Sequence, residues 1–117
     1  MNYKDQTICI IGLGYVGLPL AVEFGKSRKV IGFDLNSKRI SDLRKHYDST
    51  KELEPEDIAE ATHLRLSSQE EDLNQASIFI VTVPTPIDKN NNPDLQPLLK
   101  ASATVGQALK KDDIVIY

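Results

Sequence analysis

The feature that constrains this chain most is a glycine-rich turn between an apolar run and a stretch with helical spacing. Residues 7–11 are apolar and rich in β-branched side chains, which predicts a buried strand. Gly12-Leu13-Gly14-Tyr15-Val16-Gly17 follows directly. Beyond the turn, apolar residues recur every four positions up to Gly25, which predicts a helix that stops there or by Arg28. The recurring residues are Val16, Leu20 and Phe24.

Each glycine of this G-x-G-x-x-G pattern has a separate physical role. Gly12 permits the tight turn out of the strand, Gly14 leaves room for a pyrophosphate near the backbone, and Gly17 lets the helix pack closely on the sheet. The helix N-terminus offers unpaired N–H groups and positive dipole character to phosphates. Glycine-rich turns also occur for packing alone, so a second signal is needed to indicate a dinucleotide.

That second signal is Asp34, the last residue of a predicted second strand at residues 29–34. A carboxylate there accepts hydrogen bonds from both ribose hydroxyls of NAD and repels the extra phosphate of NADP, although an exposed strand end or a local cap would also explain it. Arg39 complicates the choice, because an arginine near the ribose can accommodate a 2′-phosphate. We expect Asp34 to prevail and Arg39 to touch the ribose or pack beside the adenine. NAD is therefore the predicted cofactor.

The rest of the chain alternates predicted helices and strands. A second helix should begin at Asn36 or Ser37, with Ile40, Leu43 and Tyr47 on one face. Further predicted elements are a loop at 48–53, a helix at 55–61, a strand at 64–66, a polar helix at 68–75, a strand at 77–83, a loop at 88–93 and a strand at 114–117. A long helix capped by Asp94 is predicted to turn inward Leu95, Leu98, Leu99, Ser102, Val105 and Leu109.

This alternation indicates an α/β protein with a Rossmann-type, doubly wound parallel sheet covered on both faces. One domain is predicted for residues 1–117, and a hydrophobic fraction of 40% suffices for its core. A six-stranded dinucleotide fold would need another strand, so we expect the sheet to be truncated after the fifth.

Composition argues against several classes of function. The net charge is −3 and the basic residues are scattered, which disfavours nucleic acid as a partner. The single cysteine, Cys9, permits no internal disulfide and no thiolate metal cluster, and it is expected in the core. His46 and His63 have no metal-ligand pattern near them and are expected at the surface. No metal, membrane or targeting segment is predicted, and a reducing cytoplasm fits best.

Val83, Pro84, Thr85 and Pro86 end the predicted fourth strand at the edge where open α/β sheets bind ligands. The two prolines make this exit rigid, and Thr85 offers a hydroxyl toward a cofactor. They would equally serve to break the strand, with Thr85 as a turn residue. Tyr15 is similarly open, because it can lie on the helix face or cover the pyrophosphate.

Three segments together resemble the UDP-glucose/GDP-mannose dehydrogenase family. They are the turn Gly12-Leu13-Gly14-Tyr15-Val16-Gly17-Leu18-Pro19-Leu20-Ala21, the strand end Gly32-Phe33-Asp34, and the exit Val81-Thr82-Val83-Pro84-Thr85-Pro86. The continuation from Ile87 to Leu95 is most similar to members acting on UDP-N-acetylhexosamines, which supply bacterial surface polysaccharides. The resemblance covers essentially the whole chain.

The resemblance implies oxidation of a sugar C6 alcohol to a carboxylate in two NAD-dependent steps. It also implies that Val16, Asp34, Arg39 and Thr85 contact the cofactor, and that the catalytic residues, the UDP-sugar site and the homodimer helix lie downstream. This chain alone should bind NAD and catalyse nothing. The candidate cofactor-binding residues are Gly12, Gly14, Tyr15, Val16, Gly17, Asp34, Arg39, Val83, Pro84 and Thr85.

Two other functions use the same glycine turn and acidic strand end. One is a nucleotide-sensing regulatory domain of a channel or transporter, and the other is the cofactor domain of a different oxidoreductase, such as a hydroxyacyl-CoA or phosphogluconate dehydrogenase. The exit from Val83 to Pro86 with its long asparagine loop disfavours the regulatory domain, because the resemblance assigns both features to sugar dehydrogenases. Fold alone cannot decide among the three.

Overall fold

A computed structural model describes residues 5–87 and 89–117. Within these residues, five parallel strands form one sheet: β1 Ile8–Ile11, β2 Val30–Phe33, β3 Leu64–Ser67, β4 Ile78–Val81 and β5 Ile114–Ile116. Their order is β3-β2-β1-β4-β5. The helices are α1 Gly17–Gly25, α2 Ser37–Arg44, α3 Pro55–Glu60 and α4 Gln96–Ala108, with a 3₁₀ helix at Glu70–Gln75. The prediction of a doubly wound parallel sheet is confirmed.

Both faces of the sheet are covered, because successive strand side chains point to opposite sides. Ile8 and Ile10 of β1 pack with α1, α2 and α3, whereas Cys9 and Ile11 pack with α4 and the 3₁₀ helix. All four residues of β1 and all four of β2 are buried. The central strands therefore give rigid support to the residues that follow their carboxyl ends.

The predicted helix after the glycine turn is present, but it begins at Gly17 rather than at Tyr15. Val16 precedes the helix and is 67% exposed, because the glycine turn runs through it. Leu20 and Phe24 are partly buried and pack against the core. The buried positions are Gly17, Leu18, Ala21, Val22 and Gly25.

The second helix follows its prediction at the N-terminus but not at its end. Asn36 is the cap, and its side-chain oxygen accepts hydrogen bonds from the N–H groups of Lys38 and Arg39. Ile40 and Leu43 are buried as predicted. Tyr47 lies beyond the helix and is 52% exposed, so its predicted place on the inner face is wrong, because His46 adopts a left-handed φ of 61° that ends the helical path.

The long helix α4 packs through small residues rather than through its leucines. Its buried side chains are Ala101, Val105 and Ala108, and Leu98 packs partly against the same core. The other predicted inward leucines are exposed: Leu95, Leu99 and Leu109. Alanines allow close approach to the sheet, which turns the helix away from the face that hydrophobicity alone suggests. The prediction that Asp94 caps this helix is wrong by one residue: Leu95 is the N-cap and makes no side-chain cap bond, whereas Asp94 lies just before it and accepts from the Gln96 N–H.

Ile87 and Pro93 form an antiparallel bridge across the predicted asparagine loop, whose first residue, Asp88, lies outside the described residues. The remaining strands and short helices lie within a few residues of their predicted bounds. Among the helices of the described ranges, none is long and apolar enough to cross a membrane.

Candidate dinucleotide-binding site

The carboxyl ends of three adjacent strands place the candidate site. In the register of the sheet, Ile11 lies opposite Phe33 of β2 and Val81 of β4. The next residue on each strand therefore reaches the same edge, which brings Gly12, Asp34 and Thr82 side by side. The strand order reverses between β1 and β4, and open α/β sheets bind ligands at this position.

Gly12 is held in a conformation that other residues rarely adopt. Its φ is +95°, and an added Cβ would lie 3.0 Å from Val83 atoms. Its N–H donates to the Phe33 carbonyl at 2.9 Å, and its carbonyl accepts from the Thr82 hydroxyl at 2.7 Å. The turn is thus fixed from both neighbouring strands.

The other two glycines of the turn have different surroundings. A Cβ on Gly17 would lie 1.7 Å from the Gly12 carbonyl oxygen and 2.5 Å from the Thr82 hydroxyl, so α1 can approach the turn only with glycine there. A Cβ on Gly14 would have nothing within 4 Å. Packing therefore does not require Gly14, and the space above its backbone is free for a ligand.

Asp34 is both a structural and a chemical part of the edge. Its Oδ2 accepts from the Leu13 N–H at 2.9 Å, and its Oδ1 accepts from the Asn36 N–H at 2.9 Å. A carboxylate has about four acceptor positions, so two remain for ribose hydroxyls. The carboxylate is half-buried and oriented by these two bonds.

Arg39 reaches the same turn from α2. Its Nε and Nη2 donate to the Leu13 carbonyl at 2.9 and 2.6 Å, and its Nη1 donates to Asp48 at 2.7 Å. The residue is 8% exposed. Arg39 thus bonds directly to the glycine turn. Its predicted contact with the ribose or the adenine stays a prediction.

Asp48 is the fully buried partner of Arg39. Burial by itself raises the pKa of this carboxyl, but hydrogen bonds from the Thr50 hydroxyl, from Arg39 and from the Thr50 and Leu53 N–H groups outweigh burial and lower the pKa to about 2. Its charge is therefore retained at neutral pH, and the predicted loop at 48–53 folds around it.

Sequence reasoning missed Thr82 and Asp48. Thr82 directly follows the apolar residues of β4 and lies level with Gly12. A polar residue in this position of the sequence could have indicated that Thr82 belongs to the site. Asp48 precedes Ser49 and Thr50, a composition typical of a side-chain-stabilised turn. Its pairing with Arg39 depends on tertiary packing and has no local signal.

A crevice of about 390 Å³ extends from the strand edge toward α4. This volume is within the range of small-molecule sites. Of the predicted residues it brings together Gly12, Asp34, Val83 and Pro84. Its other lining residues are Ile11, Phe33, Leu35, Asp94, Gln96, Pro97, Lys100, Ala101 and Thr104.

Tyr15, Val16 and Thr85 do not line this crevice. Tyr15 and Val16 are each 67% exposed at the start of α1, and Thr85 is exposed beyond β4. Their contact with a cofactor stays a prediction.

Cys9, His46 and His63 do not line the crevice. Cys9 is fully buried as predicted, and burial raises the pKa of its thiol to about 12, which disfavours the reactive thiolate. His46 and His63 are exposed as predicted. Across residues 5–87 and 89–117, no three His, Cys, Asp or Glu side chains are grouped to hold a metal ion.

Residues 6–117 match the model of the UDP-glucose/GDP-mannose dehydrogenase family, NAD binding domain. The chain belongs to this family. NAD is therefore its cofactor, and binding of NAD by the glycine turn and Asp34 stays a prediction.

Curated relatives within the dehydrogenase family match nearly all of the chain. A UDP-N-acetyl-D-glucosamine 6-dehydrogenase from Pseudomonas aeruginosa is 55% identical over 97% of this chain, and one from Salmonella typhi is 54% identical over 97%. Protein CapL from Staphylococcus aureus is 52% identical over the same share. The chain spans about a quarter of the length of these relatives (27%, 27% and 26%).

Solved structures of the family share the fold. UDP-D-ManNAc dehydrogenase from Pyrococcus horikoshii aligns with a TM-score of 0.82 at 30% identity, over 93% of this chain and 27% of that one. A 3-hydroxybutyryl-CoA dehydrogenase from Ralstonia eutropha aligns at 0.59 and 18% identity, over 94% and 39%, which shows the fold alone. The comparisons therefore favour the sugar dehydrogenase family over the two alternative functions.

Proposed function

We propose that this chain is the NAD-binding part of a UDP-N-acetylhexosamine 6-dehydrogenase, which oxidises the sugar C6 alcohol to the uronic acid with two NAD. The observation that carries this proposal is a gap in identity. Two UDP-N-acetyl-D-glucosamine 6-dehydrogenases are 55% and 54% identical to the chain, whereas UDP-N-acetyl-D-mannosamine dehydrogenases from Yersinia pestis and Campylobacter jejuni are 31% and 32% identical.

The residues at the strand edge fit the two polar parts of NAD. The open space at Gly14 and the N-terminus of α1 suit the pyrophosphate, since no acidic residue lies in the first turn of that helix. The oriented carboxylate of Asp34 suits the ribose hydroxyls. Gly12 and Gly17 keep the turn close to the sheet, and we expect further contacts from Tyr15, Val16, Arg39, Val83, Pro84 and Thr85.

NAD would serve as the hydride acceptor in the oxidation. In this scheme the residues of the chain bind and orient the cofactor, and none is assigned to catalysis. We expect the acid–base and nucleophilic groups, the UDP-sugar site and the homodimer contacts in sequence outside this chain, as the resemblance implies. NAD and nucleotide sugars are cytoplasmic metabolites, so we place the reaction in the cytoplasm. We expect the chain by itself to bind NAD without turnover.

The test is a substrate comparison with the natural protein that contains this chain. UDP-N-acetylglucosamine, UDP-N-acetylgalactosamine, UDP-glucose and GDP-mannose are supplied with NAD, and NADH and the uronic acid are quantified. The proposal predicts oxidation of a UDP-N-acetylhexosamine in preference to the other two, with two NADH for each sugar. Preference for UDP-glucose or GDP-mannose, or one NADH for each sugar, would contradict it.

A further inference from the structure

Leu13, at the centre of the glycine turn, is held at both of its backbone polar groups. Asp34 accepts from its N–H at 2.9 Å, and Arg39 donates to its carbonyl at 2.9 and 2.6 Å. The carboxylate that faces the ribose and the guanidinium of Arg39 thus flank one residue. Arg39 is consequently a cationic side chain beside the predicted ribose position, where its orientation affects how a further phosphate is received.

All three nitrogens of this guanidinium are engaged. Nε and Nη2 bond to Leu13, whereas Nη1 bonds to the Asp48 carboxylate at 2.7 Å and to the Ser49 hydroxyl at 3.3 Å. An arginine recognises phosphate with a fork of free N–H groups. Held in this way, Arg39 has no such fork to present.

Asp48 is fixed independently of Arg39. Its Oδ1 accepts from the Thr50 N–H and hydroxyl, and its Oδ2 accepts from the Glu52 and Leu53 N–H groups at 3.0 Å. The side chain is fully buried. A carboxylate held by so many loop donors keeps its place, so it is Asp48 that anchors the guanidinium.

We propose that Asp48 is a positioning residue for cofactor selectivity: it neutralises Arg39 and holds it on Leu13, and so withholds it from the 2′-phosphate of NADP. Without the carboxylate, one positive charge beside the ribose is uncompensated, and the guanidinium can turn toward a phosphate. Asp34 repels the 2′-phosphate, and Asp48 removes the group that would attract it. This inference rests on the binding of NAD at the glycine turn.

The test compares dissociation constants for NAD and NADP in the natural protein and in its Asp48→Asn variant. Asparagine keeps the size of the side chain and removes its charge. We expect the ratio of the NADP constant to the NAD constant to fall by about tenfold, as for one gained charge-assisted hydrogen bond. A purely structural role would weaken both cofactors alike and leave the ratio unchanged, and that result would overturn the proposal.

Two matched variants separate the causes. Thr50→Val removes a 2.6 Å bond to the same Asp48 oxygen but leaves the ion pair, so it should disturb the loop without changing the ratio. In an Arg39→Gln background, Asp48→Asn should no longer change the ratio, because Asp48 acts through Arg39. A fall of the ratio with Thr50→Val, or an undiminished effect without Arg39, contradicts the proposal.

If Asp48→Asn does not fold, a crystal structure of the unsubstituted protein with NADP decides. Arg39 still bonded to Leu13 and Asp48 supports the proposal, and Arg39 bonded to the 2′-phosphate overturns it. Failure of the unsubstituted protein to bind either cofactor would instead contradict the NAD site itself. Preference for NAD with no response to Asp48→Asn would contradict only the role of Asp48.

Discussion

At the scale of single residues, the three glycines of the turn are not equivalent. A methyl group on Gly14 meets no atom within 4 Å, whereas one on Gly17 would lie 1.7 Å from the Gly12 carbonyl oxygen. Loss of binding and loss of folding can therefore be separated by two substitutions of the same kind.

We predict that Gly14→Ala leaves the thermal midpoint of the free protein within a few degrees and weakens NAD binding about tenfold or more, because the methyl occupies the approach of the pyrophosphate. Calorimetric titration and thermal unfolding measure the two effects. Gly17→Ala is the control and should lower the midpoint strongly. Unchanged NAD affinity in Gly14→Ala would contradict the assigned position of the pyrophosphate.

Asp34→Ala should reduce the preference for NAD over NADP, because it removes the acceptor for the ribose hydroxyls and the charge that repels a 2′-phosphate. It also removes the partners of the Leu13 and Asn36 N–H groups, so stability should fall by about 1–3 kcal/mol. Titration with both cofactors checks the preference, and urea unfolding checks the stability. A variant that keeps the full preference would show that another group selects the cofactor.

The low pKa of Asp48 should make the stability of the protein depend on pH. Its pKa falls from an ordinary 3.8 to about 2 on folding, so its contribution is present above pH 4 and is lost as the pH falls from about 4 to about 2. The loss should amount to about 2 kcal/mol. Urea unfolding across this pH interval measures the free energy of unfolding of the unsubstituted protein and of Asp48→Asn. The difference between the two free energies should shrink toward acid pH. A constant difference would show that the charge of Asp48 does not stabilise the fold.

At the scale of elements, the start of α2 links a helix cap to the site. Asn36 accepts from the N–H of Arg39, the residue that holds the glycine turn. Asn36→Ala should destabilise the protein by about 1 kcal/mol, measured by urea unfolding. Ser37→Ala is the matched control, because Ser37 is exposed and is not the cap, and it should change stability by less than half as much. Equal losses of stability in the two variants would show that the Asn36 side chain does not stabilise the helix as its cap.

Element type was predictable from periodicity, whereas the orientation of the helices was predictable only in part. Ile40 and Leu43 were placed correctly because α2 begins at a recognisable cap. The start of α1 was predicted too early, because the turn delays the helix to Gly17 and the spacing of Val16 does not reveal this. In α4, alanines pack on the sheet and leave Leu95 and Leu99 exposed, which depends on how closely the layers approach.

At the scale of the whole molecule, the site is a consequence of sheet order. Parallel strands with β1 at the centre bring Gly12, Asp34 and Thr82 to one edge from three distant segments. The motif predicted the first two, because each follows an apolar strand at a position with known chemistry. The Arg39–Asp48 pair was not predictable, since it forms only when α2 and the following loop pack against the turn.

The most direct test of the central claim is thermal unfolding of this chain with and without NAD, with NADP and S-adenosylmethionine in parallel. A ligand at about 100 times its Kd stabilises the native state by about 2.7 kcal/mol, which moves the midpoint of a domain of this size by several degrees. The account predicts such a rise with NAD and little change with the other two. A cooperatively folded sample whose midpoint does not respond to NAD would contradict the assignment of the glycine turn and Asp34 as a self-sufficient NAD site.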